Sequence, residues 1–262
     1  MPEEAAWPRW VAQHMIGFQA MYMANGALIR WAVRRWPPGK TEAERERIAT
    51  ILQNCAPSYL NSTIHATIVA TLGLGHLVQL YGAPARQQLV RGPEDAVPTS
   101  ILMDASHTAS VFLAYLLVDT VHVIRKYPKL GKLDTLAHHG AFATCAFLAL
   151  KGNLFPFAFG WLALGEASTP FLNLRWFLRT LGKQDSAMAK ANETVFGASF
   201  FLLRFVLYGA GLAWHLKTVR AVEDLGWSPR IITVLMTAGF GLNLAWLRVL
   251  IKKRFFPKPK LN

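Results

Sequence analysis

Apolar residues gather in windows of about twenty, separated by short polar stretches rich in proline, glycine, lysine and arginine. A window of that length crosses the roughly 30 Å of bilayer hydrocarbon at about 1.5 Å per helical residue. The windows cover residues 11–33, 59–80, 104–124, 133–150, 153–178, 194–216 and 229–251. This pattern predicts an all-α membrane protein of about seven transmembrane helices, the first peripheral to a bundle of the other six. Pro156 and Pro170 interrupt the fifth window, which predicts a half-helix followed by a helix. The charged run Thr41 to Arg47 (TEAERER) reads as a short solvated helix or loop, and Tyr81 to Ser100 as the longest loop on the opposite side.

Composition adds little to that picture; charge adds orientation. The 262 residues are 53% hydrophobic and 16% charged, with a formal net charge of +13. Under alternating topology most basic residues fall on one side, in the loops at 34–47, 125–132 and 179–190 and the tail at 252–260. The other side holds fewer, among them Arg86, Arg91, Lys151 and Arg220. Positive charge marks the cytoplasmic face, so the N-terminus is expected outside and the C-terminus in the cytosol. The partner of this charge is then anionic lipid headgroup rather than nucleic acid. The start of the chain, MPEEAAWPRW, is acidic and does not read as a cleaved signal peptide, so the first span is expected to insert as an anchor. Cys55 and Cys145 support neither a disulfide framework nor a cysteine metal cluster. Lys258 and Lys260 near the end resemble a dilysine retrieval signal of the endoplasmic reticulum; a plain stop-transfer tail is the alternative.

Candidate chemistry lies inside the spans, where ionisable side chains cost several kcal/mol and mark functional interiors. His138 and His139 sit together in the fourth window. Ser58, Asn61, Ser62, His65 and His76 recur at helical spacing in the second; Asp104, His107, Tyr115, Asp119 and His122 do so in the third. Glu166, Thr169, Pro170 and Asn173 follow one side of the fifth, with Arg175 near its end. These stripes predict a polar chamber lined by at least four helices. His14, His107 and His215, near helix ends, are expected to be solvated. Asp104 and Asp134 suit helix N-termini. Arg204 and Arg248 are assigned no chemistry, either reaching an interface or pairing with a buried acid.

A buried imidazole can attack an ester or thioester, or serve as base for a hydroxyl or amine. Asp119 and Glu166 are the candidate acids to orient it. Neighbouring histidines project about 100° apart on a helix, so one is expected to react and the other to support it. A metal centre is not expected, because no local cluster of ligands accompanies the histidines. The last window has no lysine for a retinal Schiff base, and phosphate-binding and serine-hydrolase motifs are absent.

The segments Asn61-Ser62-Thr63-Ile64-His65-Ala66, Tyr115-Leu116-Leu117-Val118-Asp119, His138-His139-Gly140 and Gly165-Glu166-Ala167-Ser168-Thr169-Pro170-Phe171-Leu172-Asn173-Leu174-Arg175-Trp176-Phe177 resemble TLC-domain proteins in order and spacing. The resemblance covers about residues 59–251. It implies a bundle of membrane helices around a lipid-accessible chamber, usually in the endoplasmic reticulum. The family includes ceramide synthases, in which a matching His-His pair lies at the active centre, and small TLC-domain-containing proteins linked to membrane lipid composition. The acidic segment that follows the histidines in the synthases has no counterpart here beyond Glu166, so the chain is most similar to the small TLC-domain-containing proteins.

The expected organisation is an anchor and basic cytosolic loop at 1–57, a TLC domain at 58–251 and a basic tail at 252–262. The expected function is membrane lipid homeostasis as a multi-pass protein of the endoplasmic reticulum. If catalytic, the protein moves an acyl chain from acyl-CoA or a phospholipid to a lipid acceptor. His138, His139, Asp119 and Glu166 form the catalytic set; His65, Tyr115, His122, Asn173 and Arg175 line the substrate site. No cofactor is required beyond acyl-CoA as substrate; membrane lipids are the partners, and an oligomer is compatible. A non-enzymatic lipid sensor or cargo binder is the alternative, ahead of a true ceramide synthase.

Overall fold

A computed structural model describes residues 6–82, 99–152, 154–220 and 226–255. Within them the chain is built of helices: α1 Ala6–Arg35, α2 Glu42–Leu80, α3 Thr99–Arg125, α4 Leu133–Gly152, α5 Pro156–Leu164, α6 Thr169–Thr180, α7 Ala187–Arg220 and α8 Trp227–Phe255. A 3₁₀ turn, Gly165–Ser168, joins α5 to α6 without a break, so the described residues form seven continuous helical rods. Among the described residues, four segments are long and apolar enough to cross a membrane: Glu42–Leu80, Ala105–Arg125, Ala187–Arg220 and Trp227–Lys252. The protein is a multi-pass membrane protein. The 81–100 loop, apart from its ends, and the dilysine-like tail lie outside the described residues, as does the Asp104 side chain.

Local chemistry sets the helix boundaries. Thr41 is the N-cap of α2, its hydroxyl accepting from the Glu44 backbone N–H at 3.2 Å. The Glu44 carboxylate reaches back to accept from the Lys40 N–H at 2.9 Å. The run expected as a separate solvated helix or loop is therefore the opening of α2. It continues through Pro57, whose missing N–H loosens one turn of the hydrogen-bond ladder. Lys126, from the end of α3, donates to the Asn54 carbonyl in that turn. In the fifth window both prolines start helices: Pro156 stands in the first turn of α5 and Pro170 in the first turn of α6. Two short α-helices follow as expected, but the 3₁₀ turn Gly165–Ser168 runs them together into one rod.

The first helix is closely packed onto α2 and α3. Asn25 donates to Asn61 at 2.8 Å, Asn61 to the Phe18 carbonyl at 2.9 Å, and Lys126 to the Tyr22 hydroxyl at 2.6 Å. Such interhelical hydrogen bonds hold membrane helices together where lipid removes the hydrophobic incentive. His14 is half-buried, its Nε2 lying 3.1 Å from that of the exposed His107 on α3. His215 is a correction: expected in solvent, it is fully buried between α7 and α8, hydrogen-bonded to Thr233 at 2.9 Å and edge-on to Phe155. Its position near a helix end does not expose it, because α8 folds back across that end.

The backbones of α2 and α5 approach closely at Gly73. A Cβ on Gly73 would stand 2.8 Å from both the Ala163 Cβ and the Gly160 carbonyl, atoms that backbone positions fix. Gly73→Ala is therefore expected to push the helices apart at a cost of about 1–3 kcal/mol. Gly75→Ala, whose Cβ meets nothing within 4 Å, is expected to be neutral or mildly stabilising. Thermal unfolding in detergent checks the pair; equal shifts would contradict the assignment of this contact.

Candidate functional site

A cavity of about 520 Å³ opens among α2, α3, α4, the α5–α6 run, α7 and α8. Eight of the nine candidate residues line it. α2 contributes His65; α3, Tyr115 and Asp119; α4, both histidines; the 3₁₀ turn, Glu166; and α6, Asn173 and Arg175. Much of the remaining wall is apolar or aromatic, including Phe112, Leu116, Leu172, Phe196 and Trp246. His122 is the exception. It lies about 60° around α3 from Asp119, stacks on Tyr22 at 3.6 Å and pairs with Gln19 of α1 at 3.1 Å. It belongs to the contact between α1 and α3, not to the cavity wall.

The two histidines differ sharply. Their ring centres are 6.0 Å apart, as adjacent positions on a helix require. His138 is half-buried and faces the cavity beside Phe142 and Trp246. His139 is buried and held on both sides: its Nδ1 lies 3.1 Å from the Thr120 hydroxyl, and its Nε2 lies 3.8 Å from the Asp119 carboxylate. Thr120 donates its only hydroxyl proton to the Leu116 carbonyl at 2.6 Å. The hydroxyl oxygen can then only accept, so His139 carries its proton on Nδ1. Nε2 is left as a lone pair beside a carboxylate.

The two acids divide their work. Asp119 faces His139. Glu166 instead accepts from Arg204 at 3.0 Å and from Thr169 at 2.8 Å, so both its oxygens are occupied. Arg204 also donates through Nε to Ser168 at 3.0 Å and through Nη2 to Thr169 at 3.1 Å. Sequence reasoning left Arg204 without a role. The available signal was its spacing of four from Phe200 and eight from Phe196, which line the same cavity. Thr120 was also missed: a threonine next to an aspartate carries no signal until its partners are known.

The substrate-lining candidates are held as firmly. His65 is stacked on Tyr115 at 3.8 Å, with Phe18 edge-on to both rings, and its Nε2 is buried without a hydrogen-bond partner. Asn173 is buried and donates to the Tyr59 carbonyl at 3.1 Å and the Thr63 hydroxyl at 2.9 Å, locking α6 onto α2. Arg175 lies at the cavity's edge and pairs with Glu193 at 3.2 Å, an acid it shares with Arg179. Among the described residues no group of three or more His, Cys, Asp or Glu side chains is arranged to hold a metal ion.

The sequence model of the TLC domain matches residues 58–252, a stretch that contains every one of these candidate residues. The chain belongs to the TLC-domain family. It is similar to TLC domain-containing protein 4-B of Xenopus laevis, 27% identical over 142 residues, which are 53% of this chain and 54% of that protein. It is also similar to TLC domain-containing protein 4-B of Danio rerio, 25% identical over 151 residues, 57% of this chain and 53% of that protein. The matches span about half the length of these curated relatives. In this TLC-domain chain α1 precedes the matched residues, yet its Phe18 supports the cavity wall through His65 and Tyr115.

Proposed function

We propose that this TLC-domain protein is a lipid acyltransferase of the endoplasmic reticulum membrane, acting in membrane lipid homeostasis. Of seven spans, six surround the cavity, the basic loops face the cytosol, and the C-terminus is cytosolic. The observation that carries the chemistry is the placement of His139 between the Thr120 hydroxyl and the Asp119 carboxylate. Nε2 takes the proton of a lipid hydroxyl or amine as that acceptor attacks the carbonyl of an acyl-CoA or phospholipid. Asp119 stabilises the imidazolium that results. Collapse of the tetrahedral centre forms the new ester or amide and breaks the old acyl bond; the proton leaves with the thiol or hydroxyl. The His139 imidazolium gives that proton back to the leaving group, and His138, open to the same cavity, lies beside the reacting atoms. The mainly apolar wall accommodates the acyl chain, with His65, Tyr115, Asn173 and Arg175 around the acceptor.

A second reading has its own support: Arg204 is already paired with Glu166, and Arg175 and Arg179 with Glu193. A cavity whose cations are neutralised from within suits a lipid sensor or carrier. One experiment separates the two. Purified protein in nanodiscs is offered acyl-CoA and phospholipid donors with a panel of lipid alcohols and amines, and products are identified by mass spectrometry. Formation of an acylated acceptor with stoichiometric release of thiol or lysolipid is the expected result. Bound lipid without turnover across the panel would overturn the enzyme reading and favour the carrier.

A further inference from the structure

The free edge of the Arg204 guanidinium is a recognition element that neither the sequence pattern nor the histidine chemistry assigns. Arg204 sits in Phe201–Leu207, a π-helical stretch in the middle of α7. In a regular α-helix, residues four apart drift by about 40° at each step. The wider π turn takes that drift back, so Phe196, Phe200, Arg204, Tyr208 and Leu212, each four apart, all stay on the protein side of the helix. A cation is thereby held at the cavity wall within a membrane span, where it must be paired.

The pairing uses one side of the guanidinium. Nε and Nη2 make all of its hydrogen bonds among the described residues, to Ser168, Glu166 and Thr169. Nη1 makes none among the described residues, and Arg204 lines the cavity. Arginine presents two forked edges, and here only one is committed to the protein. The donors left over point to an oxygen acceptor on a ligand. Its charge state follows from Glu166. That carboxylate cancels the guanidinium in a weakly screening interior, so a permanent anion would lose its hydration for little net attraction. A neutral carbonyl oxygen needs only a donor, and charge-assisted donation to it is stronger than an ordinary hydrogen bond.

We infer that Arg204 Nη1 binds the carbonyl oxygen of a lipid ester or thioester, making the acyl carbonyl, rather than the hydrocarbon chain or an anionic head, the feature that selects the ligand. This rests on the acyl-transfer reading for its purpose, but the binding step can be measured alone. The probes are methyl oleate and oleyl methyl ether, which differ only in a carbonyl replaced by a methylene, with oleate as the anion. Competition against radiolabelled methyl oleate on the full chain in nanodiscs gives the three affinities.

Wild type is expected to bind the ester at least about tenfold more tightly than the ether, and more tightly than oleate. Arg204→Lys keeps a cation beside Glu166 but lacks the second fork, so the ester-to-ether ratio is expected to fall to near one at an unchanged melting temperature. If that variant does not fold, the double variant Arg204→Gln with Glu166→Gln removes both charges together and carries the same expectation. A wild-type ratio near one, a preference for oleate, or a folded variant that keeps the wild-type ratio would overturn the inference. Discrimination without turnover would sink the acyltransferase reading alone; turnover with a wild-type ratio near one would sink this inference alone.

Discussion

Replacing His139 with alanine is expected to lower acyl transfer by about 10²–10⁴-fold, the usual contribution of a positioned general base. The size follows from how completely the ring is prepared. Thr120 has spent its proton on the Leu116 carbonyl, so it holds His139 in the tautomer whose Nε2 is basic. Asp119, 3.8 Å from Nε2, favours the charged ring that exists only after proton transfer. Thr120→Val removes the acceptor while keeping the shape, and its expected effect is smaller, about tenfold, the value of one lost hydrogen bond. The measurement is turnover on the best donor–acceptor pair from the panel, with methyl oleate affinity as the control for an intact cavity. A loss of turnover at constant affinity fits the base; His139→Ala turning over at the wild-type rate would remove His139 from the mechanism.

The helices and the site were not equally legible in the sequence. Seven apolar windows correspond to seven helical rods among the described residues, four of them long and apolar enough to cross a membrane, because a bilayer imposes length and composition on any segment that crosses it. The break at Pro156 was visible for a similarly local reason: proline has no N–H to give. His65, Tyr115, Asp119, His138, His139 and Glu166 all reach one cavity, because an ionisable or polar stripe in a span has few places to point. Which histidine is held, and by what, was not legible. It depends on Thr120 having already donated to its own helix, a fact of geometry that spacing does not encode. His122 shows the opposite failure. Three- and four-residue spacing placed it on the Asp119 stripe, but a 60° offset was enough to turn it to Tyr22 and Gln19 once α1 packed there. His215 was misjudged because its partner Thr233 comes from the following helix, and although pairing with a buried acid was one of the two readings of Arg204, which acid it meets was not legible. A single helix's pattern reports which face is polar, not what meets it.

Arg204→Ala is expected to cost more in stability than any other single change in the cavity wall, about 3–5 kcal/mol. The reason is what remains. With the guanidinium gone, Glu166 keeps its bond from Thr169, and an ionised carboxylate is left largely buried in the cavity wall without its counter-charge. Ser168, itself buried, loses the donor that occupies its oxygen. The cost should therefore belong to the stranded charge rather than to lost packing, and a second substitution tests that directly. Glu166→Gln in the Arg204→Ala background removes the charge and is expected to restore most of the stability. Glu166→Gln alone strands the arginine and should be destabilising in its own right. The coupling is read from unfolding in mild detergent as the difference between the double variant and the sum of the singles. Additive losses would show that the two residues stabilise the bundle independently. A strongly non-additive rescue would identify the Glu166–Arg204 pair as the strut that fixes the 3₁₀ turn between α5 and α6 against the π segment of α7, and so holds the cavity open at its acyl-binding wall.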